Sequence, residues 1–207
     1  MAEHVSQMSV VSIERLAEHV GQTVRLKGWL YASRSSGKLI FLQLRDGSGY
    51  AQCVVFKNDV SPELFELARH LPQETSLSIT GEVREHERQK GVFEVGVRAL
   101  DVIARPASEY PITPKDHGTD FLMDHRHLWL RSRRQHAILR VRAEIVRSIR
   151  DYFDNNGFLL IDAPVFTPNA CEGTSTLFET DFHGTPAYLT QSGQLYLEST
   201  AMALGRV

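Results

Sequence analysis

The chain has 207 residues, 42% hydrophobic and 23% charged, which suits one large or two small folded domains and excludes a disordered chain. The formal net charge is −2, so any surface for nucleic acid must be a local patch rather than a basic body. Cys53 and Cys171 give no disulfide framework or metal-ligand spacing, no apolar run reaches the roughly 18–20 residues of a membrane helix, and the Met-Ala-Glu-His start has no signal-peptide core, so a cytoplasmic protein is expected.

Residues 12–20 predict a short helix, with Ser12 as its cap and Gly21 as its end. Val24, Leu26, Gly28 and Leu30 then alternate with Arg25, Lys27 and Trp29, a period of two that predicts a strand. Ser35-Ser36-Gly37-Lys38 reads as a turn and Leu39 to Arg45 as a second strand. Asp46-Gly47-Ser48-Gly49 reads as another turn, and Tyr50 to Phe56 as a third strand. In the second strand Leu39, Phe41 and Gln43 share one face, while Ile40, Leu42 and Leu44 share the other. Phe41 is therefore expected on the more polar, outward face. Ser61-Pro62 opens a helix to about His70. Strands from Ser76 to Val83 and from Val92 to about Ile103 follow. Three strands, a helix and two strands fit the OB-fold, a small Greek-key β-barrel that binds oligonucleotides. Composition alone does not separate it from another small barrel.

Pro106, Pro111, Pro114 and Gly118 break up the next stretch, which predicts a hinge or linker. Phe121, Leu122, Leu128, Trp129 and Leu130 are too apolar for a free tether, so it should pack. His125 and His127 lack a third ligand in the sequence, and no metal site is expected there. From Ile138 the period is helical: Ile138, Val141, Ile145, Ile149 and Tyr152 share a face, and Arg140, Arg142, Arg147 and Arg150 charge the others. Asn155-Asn156-Gly157 should stop this helix, and Phe158 to Ile161 predicts a buried strand ended by Asp162-Ala163-Pro164.

Two separated blocks resemble one family. Gly28-Trp29-Leu30, Arg34, Gly37-Lys38-Leu39-Ile40-Phe41, Leu44-Arg45-Asp46, Gly49 and Gln52 resemble the anticodon-binding OB domain of the class IIb aminoacyl-tRNA synthetases, which handle Asp, Asn and Lys. The resemblance implies that Phe41 stacks on the central uridine of the anticodon, that Gln52 hydrogen-bonds that base and that Arg34 contacts the anticodon loop. Specific reading of RNA does target unpaired bases, through stacking and base-edge hydrogen bonds. Phe153 to Pro168 resembles motif 1 of the class II enzymes, a helix and strand with Gly157 and Pro164 that build a homodimer interface.

Residues 171–179 and 187–198 resemble the amino-acid-binding loop and strand of the Asp/Asn branch. This implies that Glu172 binds the ammonium group of the amino acid and that Ser192 and Gln194 line the same pocket. A carboxylate suits an ammonium through charge-assisted hydrogen bonds. The aspartyl enzymes carry a lysine three residues after the glutamine matching Gln194, where it neutralises the substrate carboxylate; here that position is Leu197. A buried carboxylate without a counter-charge is costly and a neutral amide needs none, so the resemblance points to the asparaginyl branch.

The expected whole is an α+β chain: a five-stranded OB-fold β-barrel followed by an incomplete class II antiparallel-sheet catalytic domain. Its segments are an N-terminal helix (1–20), the anticodon-binding domain (21–105), a hinge (106–135) and the catalytic part (136–207). The implied activity is ATP-dependent attachment of asparagine to tRNA-Asn through an aminoacyl-adenylate, with ATP and Mg²⁺ as cofactors, a homodimeric enzyme, and neither DNA nor a membrane as partner. The arginine of motif 2 and all of motif 3 would lie past Val207. No catalytic residue is therefore expected within the chain, and it is expected to be inactive alone. The alternatives are a nondiscriminating aspartyl-tRNA synthetase and a stand-alone OB-fold RNA-binding protein; the Glu172–Glu179 segment argues against the second.

Overall fold

Period-two segments of the sequence become the walls of a closed sheet. A computed structural model describes residues 9–169 and 177–207. The chain divides into two units, Met1–Asp124 and His125–Val207.

In the first unit, strands β1 (Thr23–Ser36), β2 (Leu39–Arg45), β3 (Tyr50–Phe56), β4 (Ser76–Glu85) and β5 (Phe93–Ala104) pair in the order β1-β2-β3-β5-β4, and β4 pairs back onto β1 to close the ring. Every pairing is antiparallel except β3 with β5, which is parallel. Helix α1 (Pro62–Arg69) connects β3 to β4. Ser61 caps it, its side chain accepting from the Leu64 amide at 3.2 Å. Inward residues of the strands form the core: Leu26, Leu30, Ile40, Leu42, Leu44, Val55, Leu77, Ile79, Val83 and Val95 have no exposed surface. Phe65 and Ala68 of α1 and Ile13 and Leu16 of a 3₁₀ helix (Ile13–His19) join the same cluster. The OB-fold expectation holds, with β1 running six residues past Leu30 to Ser36.

One carboxylate ties the start of this unit together. Asp46 Oδ1 accepts from the Ser48 amide at 2.9 Å, the Ser48 hydroxyl at 2.7 Å and the Gly49 amide at 3.0 Å. Its Oδ2 accepts from the Ile13 amide at 2.8 Å. Asp46 thus closes the β2–β3 turn and satisfies an orphan donor of the 3₁₀ helix. Ser12 makes no side-chain cap there. Gly28 is required where β1 crosses β2, because a Cβ would stand 2.4 Å from the Arg45 carbonyl oxygen.

The second unit begins with α3 (Arg126–Trp129) and α4 (Arg133–Asn155); the short α2 (Thr119–Asp124) closes the first unit. Helix α4 starts five residues before Ile138, because the Ser132 hydroxyl accepts from the Gln135 amide at 3.3 Å and caps it. Gly157, at φ 77°, ends it as expected. The stretch from Phe158 to Ile161 is not a strand. Leu159 and Leu160 are 51% and 49% exposed, and the Leu159 amide donates to the Arg206 carbonyl at 2.9 Å instead of joining a ladder. An apolar run becomes a strand only where a neighbouring strand accepts its amides, and among the described residues none does. Strands β6 (Phe166–Thr167), β7 (Glu179–Phe182) and β8 (Thr185–Leu189) form a small antiparallel sheet in the order β6-β8-β7. His183 and Gly184, both at positive φ, make the two-residue turn between β7 and β8. Helix α5 (Gln194–Leu204) follows. Among the described residues no helix is long and apolar enough to cross a membrane.

Removing the Asp46 carboxylate should therefore loosen both the turn and the 3₁₀ helix. D46A is expected to cost about 2–3 kcal/mol, read by urea unfolding of the chain, since it strips several charge-assisted hydrogen bonds at once. A loss under about 0.5 kcal/mol, the level of an ordinary surface substitution, would show that the turn holds without it. Cys53 gives a second check. It is wholly buried, and burial alone pushes its thiol up to about 12. The thiol is therefore neutral below that pH, and Cys53 should resist iodoacetamide at pH 8 until the chain is unfolded, as followed by peptide mapping.

Candidate functional site

The pleat of β2 turns Ile40, Leu42 and Leu44 into the core and leaves Leu39, Phe41 and Gln43 half-buried on the outer face. The pairing register then places outward residues side by side. Phe41 stands opposite Arg34 on β1 and Val54 on β3, and Val54 stands opposite Gly96 on β5. One row over, Gln43, Gln52 and Glu94 follow each other across β2, β3 and β5, and Arg84 of β4 faces Glu94. Arg34, Phe41 and Gln52 thus share one face of the ring.

The Arg34 guanidinium carbon lies 4.5 Å from the centre of the Phe41 ring, a cation–π contact at an accessible site. Gln52 Nε2 donates to Glu94 Oε2 at 3.1 Å. A carboxylate only accepts, so the amide nitrogen must be the atom facing Glu94, and the Gln52 carbonyl oxygen points the other way. The face thus combines an aromatic platform, a positive charge and an amide of fixed orientation. Glu94 was not singled out by sequence reasoning. It lies 42 residues from Gln52 and reaches it only through the parallel β3–β5 pairing, which no local pattern announces.

In the second unit, Glu172 lies outside the described residues. Ser192 and Gln194 are brought together: the Ser192 hydroxyl accepts from the Gln194 amide at 3.1 Å, and Gln194 Nε2 donates to Glu198 Oε1 at 3.1 Å. Gln194 opens helix α5 rather than lying in the strand expected around it. Gly193 permits this tight entry, since a Cβ there would stand 3.0 Å from Ala163 Cβ and 3.3 Å from Leu197 Cδ1. Leu197 and Glu198 follow Gln194 by three and four residues, on the same side of the helix. Pro164 is exposed and precedes β6. An apolar groove of about 600 Å³ runs between α4 and residues 158–161, lined by Val146, Ile149, Phe153, Phe158 and Leu160; it includes neither Ser192 nor Gln194. Along α4, Ile138, Val141, Ile145, Ile149 and Tyr152 are 46–63% exposed, an apolar stripe facing no described residue closely enough to be covered. Among the described residues no three His, Cys, Asp or Glu side chains converge as a metal would require.

Residues 24–103 match the OB-fold nucleic acid binding domain, and residues 118–207 match the tRNA synthetases class II (D, K and N). With the closed sheet ahead of it in sequence, the segment from residue 118 to residue 207 is similar to that class II tRNA synthetase family. Several of the proteins it is similar to are asparagine--tRNA ligases. It is 61% identical over 197 residues to an asparagine--tRNA ligase of Sorangium cellulosum, covering 95% of this chain and 44% of the relative. It is 58% identical to that of Koribacter versatilis, covering 98% of this chain and 46% of the relative. The solved asparaginyl-tRNA synthetase of Pyrococcus horikoshii, complexed with asparaginyl-adenylate, superposes with a TM-score of 0.85 at 38% identity, over 94% of this chain and 45% of that one. That of Entamoeba histolytica, also with asparaginyl-adenylate, gives 0.76 at 36%, over 96% and 46%. The chain thus spans about half the length of the relatives it matches.

Proposed function

We propose that the first unit reads the anticodon loop of tRNA-Asn, and that the chain serves an ATP-dependent ligase that attaches asparagine to that tRNA through asparaginyl-adenylate. The observation that carries the reading is the shared face of Arg34, Phe41, Gln52 and Glu94. A base stacked on an aromatic ring is worth about 1–3 kcal/mol, and Phe41 offers such a ring beside a guanidinium that attracts the phosphate backbone. Glu94 turns the Gln52 carbonyl away from itself. That oxygen accepts from the N3–H of uracil, and the remaining amide hydrogen donates to a uracil carbonyl. Cytosine carries no hydrogen at N3, so a fixed amide sets lone pair against lone pair. A central uridine fits; a central cytidine does not.

The second unit supports asparagine over aspartate. Leu197 supplies no cation, and the Glu198 carboxylate beside Gln194 would repel an acidic side chain. Ser192 and Gln194 line the pocket in this reading, with Glu172 binding the ammonium group. ATP and Mg²⁺ are the cofactors of the reaction in this reading; among the described residues no three His, Cys, Asp or Glu side chains converge. The apolar stripe of α4 is the homodimer face, with Gly157 and Pro164 shaping the motif around it.

Titrating the chain with a hairpin carrying the tRNA-Asn anticodon loop tests the reading. F41A should weaken binding about fivefold to a hundredfold. E94Q should leave uridine binding within a few fold yet narrow the preference for uridine over cytidine at the central position, because a glutamine there can also accept or donate. If F41A binds like the wild type, the Phe41 face is not the RNA site. For self-association, I145D combined with I149D should turn a dimer into a monomer by sedimentation velocity; an unchanged dimer would place the interface elsewhere.

A further inference from the structure

The outer face continues past Glu94. Gly96 stands opposite Val54, in the same row as Phe41, and Glu82 of β4 stands on its other side. Nothing in the backbone demands a glycine at this position. The atoms nearest to a Cβ on Gly96 would be those of the Arg84 guanidinium, 3.4 Å to Cζ and 3.7 Å to both Nε and Nη1. The neighbouring Gly81 differs: a Cβ there would strike the Gly96 carbonyl oxygen at 2.2 Å, at the bulge between Thr80 and Gly81. The Arg84 guanidinium therefore lies close over the strand at Gly96, at a distance that a Cβ would meet in ordinary van der Waals contact. A glycine inside a strand often marks such a close approach.

Arg84 is held in that place. Its Nη2 donates to Glu82 Oε2 at 2.9 Å. That bond, reinforced by the charges of Glu82, Asp59 and Glu94, raises the Arg84 pKa and keeps the group charged. Glu82 is fixed in turn by Arg98, 3.7 Å away, and Arg98 by Asp59 at 3.4 Å. The Arg84 side chain stays about half exposed, at 49%. As a surface ion pair alone this network adds little to stability. As a support it fixes a guanidinium beside the aromatic platform. Gly96 lies two strands from Phe41, roughly 10 Å.

We propose that Arg84, laid over Gly96 and steadied by Glu82, is a second stacking platform that takes an unpaired base next to the one on Phe41. Guanidinium planes stack on splayed-out bases as aromatic rings do. The two platforms hold neighbouring bases apart, and Val54 forms the apolar floor between them. The inference rests on the anticodon reading above and extends it to a flanking nucleotide.

Fluorescence anisotropy of the 207-residue chain with the anticodon hairpin tests it, using the intact loop and loops made abasic at one anticodon position at a time. R84A and R84K should each weaken binding to the intact loop about fivefold to a hundredfold. Lysine keeps the charge but loses the plane. On a loop abasic at one flanking position, R84A should cost nothing further, while F41A keeps its full effect there and loses it on the loop abasic at the centre. If R84K binds like the wild type and R84A is weaker by one constant factor on every loop, Arg84 contacts phosphate and the proposal is overturned. If R84A binds like the wild type while F41A is weak, Arg84 has no part and only this inference falls. If neither variant changes binding, the anticodon reading falls with it.

Discussion

The pleat of β2 is the constraint on which the first unit depends. Its inward residues Ile40, Leu42 and Leu44 have no exposed surface, and each contributes about 1.5–3 kcal/mol by leaving water. A slip of one residue would expose all three and bury Phe41 and Gln43. The register is therefore held by several times the energy of any single surface contact. The same register fixes what the outside offers, because Phe41 can face outward only while its neighbours face in. Asp46 at one end of the strand and Gly28 where β1 crosses Arg45 keep that register from drifting. The core and the candidate RNA face are two sides of one alternation.

The outer face then works by local chemistry, not net charge. A chain of net charge −2 has no broad field for RNA, so in the proposed reading attraction comes from Arg34 and its neighbours. The Arg34–Phe41 contact is worth about 0.5–1 kcal/mol where water reaches it, too little to bind a polynucleotide but enough to hold both groups ready. Preorganisation lowers the ordering cost on binding. Glu94 is unfavourable towards phosphates yet suited to a base edge, and through Gln52 it fixes a donor and an acceptor in order. In the proposed reading such a face discriminates between bases better than it binds backbone.

How far the sequence revealed this follows the range of the interactions. The β2 alternation, the Ser61 cap and the Gly157 stop are local patterns, and each sits where its neighbours in sequence put it. Glu94 and Arg84 were hidden because they come beside Gln52 and Gly96 only across β3–β5 and β4–β5 pairings, which join distant residues. The start of α4 was read late because its first turn, Arg133-Arg134-Gln135-His136, carries no apolar stripe; the Ser132 cap was the available signal. Phe158 to Ile161 shows the opposite failure, since its composition suits a strand but no described neighbour pairs with it. Gln194 likewise follows a strand, β8, but it is the first residue of a helix, and its amide donates to the Ser192 hydroxyl.

The second unit carries its identity in side chains more than in enclosed structure. Helix α4 has no buried residue, and its apolar stripe is of the kind that larger assemblies cover. Relatives about twice as long as this chain share its sequence at 58–61% identity. The first unit, by contrast, holds its own core and presents a complete face. Photo-crosslinking tests that face most directly. With 4-thiouridine at the central anticodon position of tRNA-Asn, the account predicts a crosslink within β2 or β3, at Phe41 or Gln52. A crosslink confined to α1 or to any element off this face would contradict it.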